Sequence, residues 1–271
     1  MYVFGPFIVG ALIGAENPRA YFSPLCLAFA LFFLFPANLL IYGVNDIFDY
    51  ETDVLNLKKR GYENLVPPDE RAHLAKWIFA VCAPFALLVP FLSAEALWML
   101  GGFVFFSIFY SAPPIRAKSK PILDSVFNVL YIFPGAMGYF LAGGQNFSMS
   151  LFVAAWLWAM AMHAYSAVPD IGADKEAGVP TVATFLGLRP TIAFCAALYF
   201  GAMWLSSAAL GFWAGVLGLV YLGLMAQSWR ANSEGGVMRI YRVFPFVNAL
   251  AGASLWWFAA LQKPSFWPFS F

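Results

Sequence analysis

The chain has 271 residues, of which 62% are hydrophobic and 11% are charged, with a formal net charge of +1. An ordinary soluble domain carries about 25% charged residues, so the composition excludes that class and indicates an integral membrane protein. A net charge near zero gives no sign of nucleic acid as a partner. Cys26, Cys82 and Cys195 stand alone in apolar stretches, which argues against a disulfide framework and a Cys-x-x-Cys metal site.

The apolar stretches recur at the length of a membrane-spanning helix, roughly 17 to 25 residues, so we predict an all-α helical bundle rather than a barrel. The runs between charged, proline and glycine breaks predict nine transmembrane helices, at residues 2–15, 22–44, 74–92, 95–111, 122–142, 149–168, 191–208, 211–229 and 239–261. The first run is short for a span, so we expect the chain as given to begin partway into its first helix. We predict that 1–271 forms a single membrane-embedded domain.

Charge is distributed unequally between the loops. If the nine spans are right, all of the 15 lysines and arginines except Arg19 and Lys263 lie in alternate loops, on one side. Positively charged loops face the cytoplasm, so we assign this side to the cytoplasm. All of the 14 acidic residues except Glu16 and Glu95 lie there too, although acids influence topology little. We therefore expect a polar site at the cytoplasmic end of the bundle, in a central cavity open to that side.

The first acidic motif is NDIFDYETD, residues 45–53, directly after a strongly apolar run. Asn45, Asp49 and Asp53 are spaced four apart, so they stack on one face if the helix continues past the membrane. Oxygen-bearing groups in such a row repel one another unless a cation lies among them. Asp46 is a further candidate in this motif.

A second acidic motif, PDIGADKEAG at 169–178, repeats the four-residue spacing in Asp170 and Asp174. The two motifs look like an internal duplication whose halves face each other across the bundle. Carboxylates at this spacing suit Mg²⁺, which takes one or two of them and fills its shell with water and substrate phosphates. Neither motif holds the thiolates or histidines that would favour zinc or iron. A pair of such sites would clamp a diphosphate.

Further polar residues lie between and beside the motifs. The segment YSAPPIRAKSKP supplies Tyr110, Arg116, Lys118 and Lys120, whose polar groups would hold diphosphate oxygens. The alternative is that these cations satisfy topology and headgroup electrostatics. We assign Lys120 to that alternative and leave both roles open for Arg116 and Lys118.

Four polar residues fall within the predicted spans. Asp124 and Asn128 lie four apart at the start of the fifth span, and ionisable groups in membrane helices are functional candidates. A hydrogen bond between helices is the simpler role for Asn128. His163 shares a helical face with Asp170 and is a candidate to take a proton from a product cation, although the sequence favours an ordinary hydrogen-bonded histidine. Tyr165 is a similar candidate.

The ordered pair of motifs, N-x-x-x-D-x-x-x-D and then D-x-x-x-D on nine helices, resembles the UbiA superfamily of intramembrane prenyltransferases. Tyr110-Ser111, Pro113-Pro114 and the later GVPTVATFLG belong to the same resemblance, which covers essentially the whole chain. The segments PANLLIYGVNDIFDYETD and YSAPPIRAKSKPILD are most similar to the branch that contains lycopene elongases of C50 carotenoid synthesis.

The resemblance implies which residues act. It implies that two Mg²⁺ ions and the prenyl diphosphate are held by the motif residues Asn45, Asp49, Asp53, Asp170 and Asp174, the four aspartates being the catalytic set. Lys175 stands where the family usually has an arginine of the second motif, so it is a candidate diphosphate ligand. A short basic, proline-containing stretch that usually precedes the first helix is absent from the chain as given.

The expected function is Mg²⁺-dependent transfer of a prenyl group from an isoprenoid diphosphate, through an allylic carbocation, to a lipophilic acceptor in the bilayer. The acceptor is expected to be lycopene or a related carotenoid, with an aromatic quinone, haem or chlorophyll precursor as the alternative. An ion- or proton-coupled transporter is the alternative of another class, but it predicts acids near the bilayer midplane. A phosphatidyltransferase-type enzyme is ranked last, because its Asp-Gly-Ala-Arg motif is not found.

Overall fold

The structure is a computed structural model that describes residues 3–53 and 65–266, with the backbone alone at 51–53. Regular structure within these ranges is entirely helical, as predicted. The α-helices are α1 (Phe4–Gly14), α2 (Pro18–Tyr21), α3 (Pro24–Leu34), α4 (Pro36–Asp53), α5 (Arg71–Cys82), α6 (Ala94–Ser111), α7 (Leu123–Val126), α8 (Phe133–Leu141), α9 (Met149–Ala167), α10 (Ile171–Glu176), α11 (Val182–Leu186), α12 (Leu188–Leu210), α13 (Phe212–Ala231), α14 (Glu234–Tyr241) and α15 (Phe244–Leu261). Short 3₁₀ segments connect some of them, at Ala83–Phe91, Ala117–Ser119, Phe127–Tyr131, Val168–Asp170 and Pro264–Phe266.

Long apolar helices dominate the chain. Within the described ranges, seven stretches are long and apolar enough to cross a membrane: Pro24–Tyr50, Arg71–Phe91, Ala94–Ser111, Met149–Glu176, Leu188–Leu210, Phe212–Ala231 and Glu234–Leu261. They correspond to all of the predicted spans except the first and the fifth.

Those two predicted spans have shorter helices. Residues 2–15 hold α1, which has 11 residues. Residues 122–142 hold α7, a 3₁₀ turn and α8 in place of one continuous helix. Pro134 lies in the first turn of α8, where its missing N–H removes no helical hydrogen bond, so a helix can begin there but not run through it. The count of nine spanning helices therefore stays a prediction.

Serine residues fix where several of the helices begin. The Ser23, Ser93 and Ser148 hydroxyls accept hydrogen bonds from the backbone N–H three residues on, at 3.3, 3.2 and 3.2 Å. Each satisfies a donor that the first turn of a helix leaves without a partner. The short connections before α3, α6 and α9 are thus set by local sequence.

Two large clusters of buried hydrophobic residues, the two cores, stabilise the bundle. One is built by α1, α3, α4, α6 and α8 around Phe33 and Phe103, whose rings meet edge to face at 5.2 Å. The other is built mainly by α9, α12, α13 and α15 around Tyr165 and Phe244, with ring centroids 5.1 Å apart. Such pairs contribute about 0.5–1.5 kcal/mol each beyond the area that they bury. Each core contains the helix that leads into one acidic motif.

Helices α1 and α8 pack so closely that their backbones lie against each other. A Cβ added at Gly10 would collide with the carbonyl oxygen of Gly135, and one at Gly138 would collide with that of Phe7. Small residues allow membrane helices to pack this closely, and packing replaces the hydrophobic driving force that lipid does not supply. The absence of side chains at these glycines therefore allows α1 and α8 to pack closely.

Replacing Gly10 with Ala should destabilise the bundle, because the two backbones must separate to admit the methyl group. We expect the free energy of unfolding to fall by about 1–3 kcal/mol, the usual cost of overpacking. Gly5 on the same helix has no atom within 4 Å of an added Cβ, so Gly5→Ala is the matched control. Thermal unfolding of the purified proteins in detergent measures the difference, and equal melting temperatures would contradict the packing role.

Candidate active site

The first acidic motif lies in the last turns of α4. The helix runs through Asp53, so Asn45 and Asp49 lie one turn apart on the same face. The Asp49 carboxylate is buried, with 5% of the residue exposed, whereas Asn45 is half-buried. The Asn45 Oδ1 accepts a hydrogen bond of 2.8 Å from the hydroxyl of Ser111, the last residue of α6. The side chain of Asp53 lies outside the part that the structure describes.

A lysine contacts the buried carboxylate. Lys118, in the 3₁₀ turn Ala117–Ser119, places its ammonium directly against Asp49. Burial lowers the pKa of Lys118 to about 8, and the nearby negative charge of Asp46 acts in the opposite direction. The ammonium form therefore still predominates at neutral pH. A buried charge is tolerated when an opposite charge lies beside it, and Lys118 meets that requirement for Asp49.

Arg116 joins the same segment to α4. It has a left-handed backbone, with φ of 44°, and its Nη2 donates a hydrogen bond of 3.1 Å to the carbonyl oxygen of Phe48. Its Nε is buried and has no partner among the described residues. Lys120, by contrast, is exposed. The structure thus brings Arg116 and Lys118, but not Lys120, against the first acidic motif.

The second acidic motif follows α9. Asp170 ends the 3₁₀ turn, Asp174 lies in α10, and both are half-buried. Between them the Gly172 N–H donates a hydrogen bond of 3.1 Å to Oε2 of Glu234, in the first turn of α14. Lys175 is exposed. The backbone of the second motif is therefore positioned by a carboxylate from a distant helix.

Asp124 is the most buried acid among the described residues, with 1% exposed. Its Oδ2 accepts a hydrogen bond of 2.8 Å from the backbone N–H of Val182, and its Oδ1 accepts one of 2.8 Å from Ser125. The Asn128 side chain donates to the Asp124 carbonyl oxygen at 2.7 Å, a bond within one segment and not between helices. Asp124 thus ties the start of α7 to the start of α11.

His163 lies beside this carboxylate. Its Nε2 is 3.7 Å from Oδ2 of Asp124, and its side chain is 21% exposed. The ring of Tyr110, from α6, stands perpendicular to the His163 ring with centroids 6.1 Å apart. His163 therefore lies between α6, whose end contacts the first motif, and Asp124 at the start of α7.

Tyr165 has a different environment. Its hydroxyl pairs with that of Ser228 at 2.8 Å, and its buried ring packs against Phe244. It belongs to the second core, so its role as a site residue has no support from these contacts.

These contacts form three polar pairs, Asn45 with Ser111, Asp49 with Lys118 and Asp124 with His163, which we together name the polar band. Its members are Asn45, Asp49, Ser111, Lys118, Asp124 and His163. Sequence reasoning did not assign a role to Ser111 or Glu234. Ser111 is part of the segment YSAPPIRAKSKP, but only the structure shows that it bonds Asn45. Glu234 follows Ser233, which caps the helix. A capping serine predicts that a helix starts here, but it does not predict that Glu234 bonds Gly172.

Aromatic rings continue from the polar band into the apolar interior. Phe106 lies one turn before Tyr110 on α6, and its ring is 4.8 Å from that of Phe127 and 5.6 Å from that of Phe133. Faces of aromatic rings stabilise cations. The arrangement therefore combines acids and cations at one end with an aromatic wall beyond them.

Known proteins resemble this chain over most of its length. The chain is 40% identical over 257 residues to the lycopene elongase/hydratase of Haloarcula japonica, covering 93% of this chain and 84% of that protein. It is 38% identical to the lycopene elongase/hydratase of Halobacterium salinarum, covering 93% and 90%. A UbiA homolog from Archaeoglobus fulgidus, solved bound to DMAPP and Mg²⁺, superposes with a TM-score of 0.67 at 18% identity, covering 95% and 94%. The last likeness shows a shared fold.

The family model for UbiA prenyltransferases matches residues 3–239. The match includes both acidic motifs, the segment that carries Arg116 and Lys118, and the start of α14. The resemblance seen in the sequence motifs is thereby confirmed, and the chain belongs to the UbiA prenyltransferase family.

Proposed function

We propose that this prenyltransferase transfers the prenyl group of an isoprenoid diphosphate to a lycopene-type polyene, with Mg²⁺ and through an allylic carbocation. The observation that carries the proposal is the buried Asp49, whose carboxylate contacts the Lys118 ammonium while Arg116 bonds the carbonyl oxygen of the adjacent Phe48. The relatives described as lycopene elongase/hydratase support the acceptor class. The positive loops support a site that faces the cytoplasm.

The donor atoms of the motifs fit Mg²⁺. Amide and carboxylate oxygens are ligands that hard cations prefer, and the thiols of Cys26, Cys82 and Cys195 lie elsewhere in the chain. No group of three or more His, Cys, Asp or Glu side chains within residues 3–50 and 65–266 is arranged to hold a metal alone. That is compatible with Mg²⁺, which completes its shell with water and substrate phosphates.

The residues proposed to hold two such ions with the diphosphate are Asn45, Asp49, Asp53, Asp170 and Asp174, with Asp46 as a neighbouring acid. When bound, the metal would neutralise charge on the diphosphate and make it a better leaving group. The position beside Asp49 already accommodates one positive charge, the Lys118 ammonium. The charge of Asp49 therefore favours a cation at this position.

Cationic side chains complete the diphosphate site. We propose that Lys118 and Arg116 stabilise the charge that develops on the departing diphosphate, since both lie against the first motif. The Lys118 side chain is 15% exposed, so part of it remains accessible to a substrate. Tyr110 is a candidate hydrogen-bond donor at the same place, and Lys175 a candidate cation from the second motif.

The aromatic wall is proposed to shield the carbocation. Phe106 packs against Phe127 and Phe133 beyond Tyr110, so the prenyl chain would pass from a polar into a dry environment. Their faces stabilise positive charge, and their bulk excludes water that would otherwise capture it. Membership of a prenyltransferase family argues against the transporter alternative.

Replacing Asp49 with Asn should abolish transfer. The amide keeps the volume but loses the negative charge, and we expect prenyl transfer to fall at least about a hundredfold. Asp69, exposed in the turn before α5, is the matched control, and Asp69→Asn should behave as the wild type. Transfer of radiolabelled prenyl diphosphate in membranes measures the effect. Full activity in a folded Asp49→Asn protein would remove Asp49 from the site.

Replacing Lys118 with Met should make the protein depend more strongly on the metal. Without its ammonium, the buried Asp49 carboxylate loses the cation that contacts it, and breaking a buried ion pair usually costs about 3–5 kcal/mol. Mg²⁺ would restore that charge balance, so we expect it to raise the melting temperature more in Lys118→Met than in the wild type. Lys120→Met is the control, because Lys120 is exposed. Equal Mg²⁺-dependent shifts in all three proteins would contradict the proposed metal position.

The acceptor is tested by comparing a polyene with an aromatic compound as the alternative acceptor. Membranes that contain the protein are given radiolabelled dimethylallyl or geranylgeranyl diphosphate with lycopene or an aromatic quinone precursor, with and without Mg²⁺. We expect Mg²⁺-dependent label in the polyene. Label in the aromatic compound alone would keep the chemistry and replace the acceptor, and no Mg²⁺-dependent release of pyrophosphate would overturn the proposed reaction.

A further inference from the structure

His163 and Asp124 form a pair that the diphosphate chemistry leaves without a role. The Nε2 of His163 is 3.7 Å from Oδ2 of Asp124, and the two residues come from α9 and α7. Asp124 cannot turn away, because backbone N–H groups of Val182 and Ser125 donate to its two oxygens at 2.8 Å each. At 3.7 Å the contact is longer than a hydrogen bond, so the fixed carboxylate acts on the imidazole through its charge and favours the orientation in which Nε2 faces it.

The position of His163 places it inside the polar band. Tyr110 meets its ring edge to face, and the next residue on α6, Ser111, donates to Asn45 of the first motif. On its own helix, His163 lies two turns before Asp170 of the second motif. The sequence has 2 histidines, and the other, His73, is exposed and accepts a hydrogen bond from Trp77. His163 is therefore the imidazole that lies between the two motifs.

The proposed reaction needs a proton acceptor, and this inference rests on that reaction. The C–O bond of the allylic diphosphate breaks, and the electron pair of an acceptor double bond forms the new C–C bond. Positive charge then lies on the neighbouring acceptor carbon. It is removed in one of two ways: an adjacent C–H loses its proton to give a new double bond, or a water oxygen adds and loses a proton. Either route releases one proton.

We propose that His163 accepts this terminating proton and that Asp124 is its positioning residue. Nε2 of His163 faces the Asp124 carboxylate, so Nδ1 is the ring nitrogen that would accept the proton. The carboxylate would stabilise the imidazolium that forms, as in other Asp–His pairs. The titratable groups that face His163 are Asp124 from α7 and Tyr110 from α6. The neighbouring Asp49 is already engaged with Lys118.

His163→Ala and the nearly isosteric His163→Gln test the proposal, with His73→Ala as the control at an exposed histidine. Pyrophosphate release and prenylated product are measured in the same membranes with dimethylallyl diphosphate and lycopene. We expect the ratio of product to pyrophosphate to fall at least about tenfold in both His163 variants, since general bases contribute about 10²–10⁴ in rate. Melting temperatures identify any variant that has not folded.

Chemical rescue separates a basic from a structural role. Added imidazole should restore product formation in His163→Ala, whereas pyrazole, which has the same shape but is a far weaker base, should not. Asp124→Asn should retain pyrophosphate release but shift the pH dependence of product formation. Unchanged product ratios in a folded His163→Gln, or equal rescue by pyrazole, would overturn the proposal. Wild-type membranes that release no Mg²⁺-dependent pyrophosphate would instead overturn the proposed function, and this inference with it.

Discussion

The contact between Asp49 and Lys118 connects the electrostatics of this protein with its architecture. A carboxylate buried in an apolar bundle requires an opposite charge, and the chain supplies it from the segment that follows α6. That segment must therefore lie against α4, where Arg116 also binds a backbone carbonyl. The loop between two helices is thus held in place by charge compensation.

The rest of the polar band extends this constraint to the second half of the chain. Six residues after Lys118, Asp124 accepts the backbone N–H of Val182, just beyond the second acidic motif. Segments of the two cores are therefore joined near their polar ends by hydrogen bonds, while the aromatic rings beyond them remain apolar.

Much of this organisation was predictable from the sequence, because it follows from periodicity and charge. The four-residue spacing of Asn45 and Asp49 predicted a shared helical face, and the serines before the apolar runs mark helix starts. Pro134 marks a possible break in the fifth span, but the 3₁₀ geometry of Phe127–Tyr131 before it is not visible in the sequence. The contact of Glu234 with Gly172 depends on how distant helices pack, and this cannot be read from a single sequence.

That contact gives Gly172 a reason to be a glycine. A Cβ at position 172 would lie 3.1 Å from Oε2 of Glu234, closer than a side chain normally comes, so the carboxylate would have to withdraw from the backbone N–H that it accepts. The residue between the two aspartates is thus constrained by a residue on another helix. A side chain at 172 therefore requires a small shift of the Glu234 carboxylate, which a shorter residue at 234 would avoid.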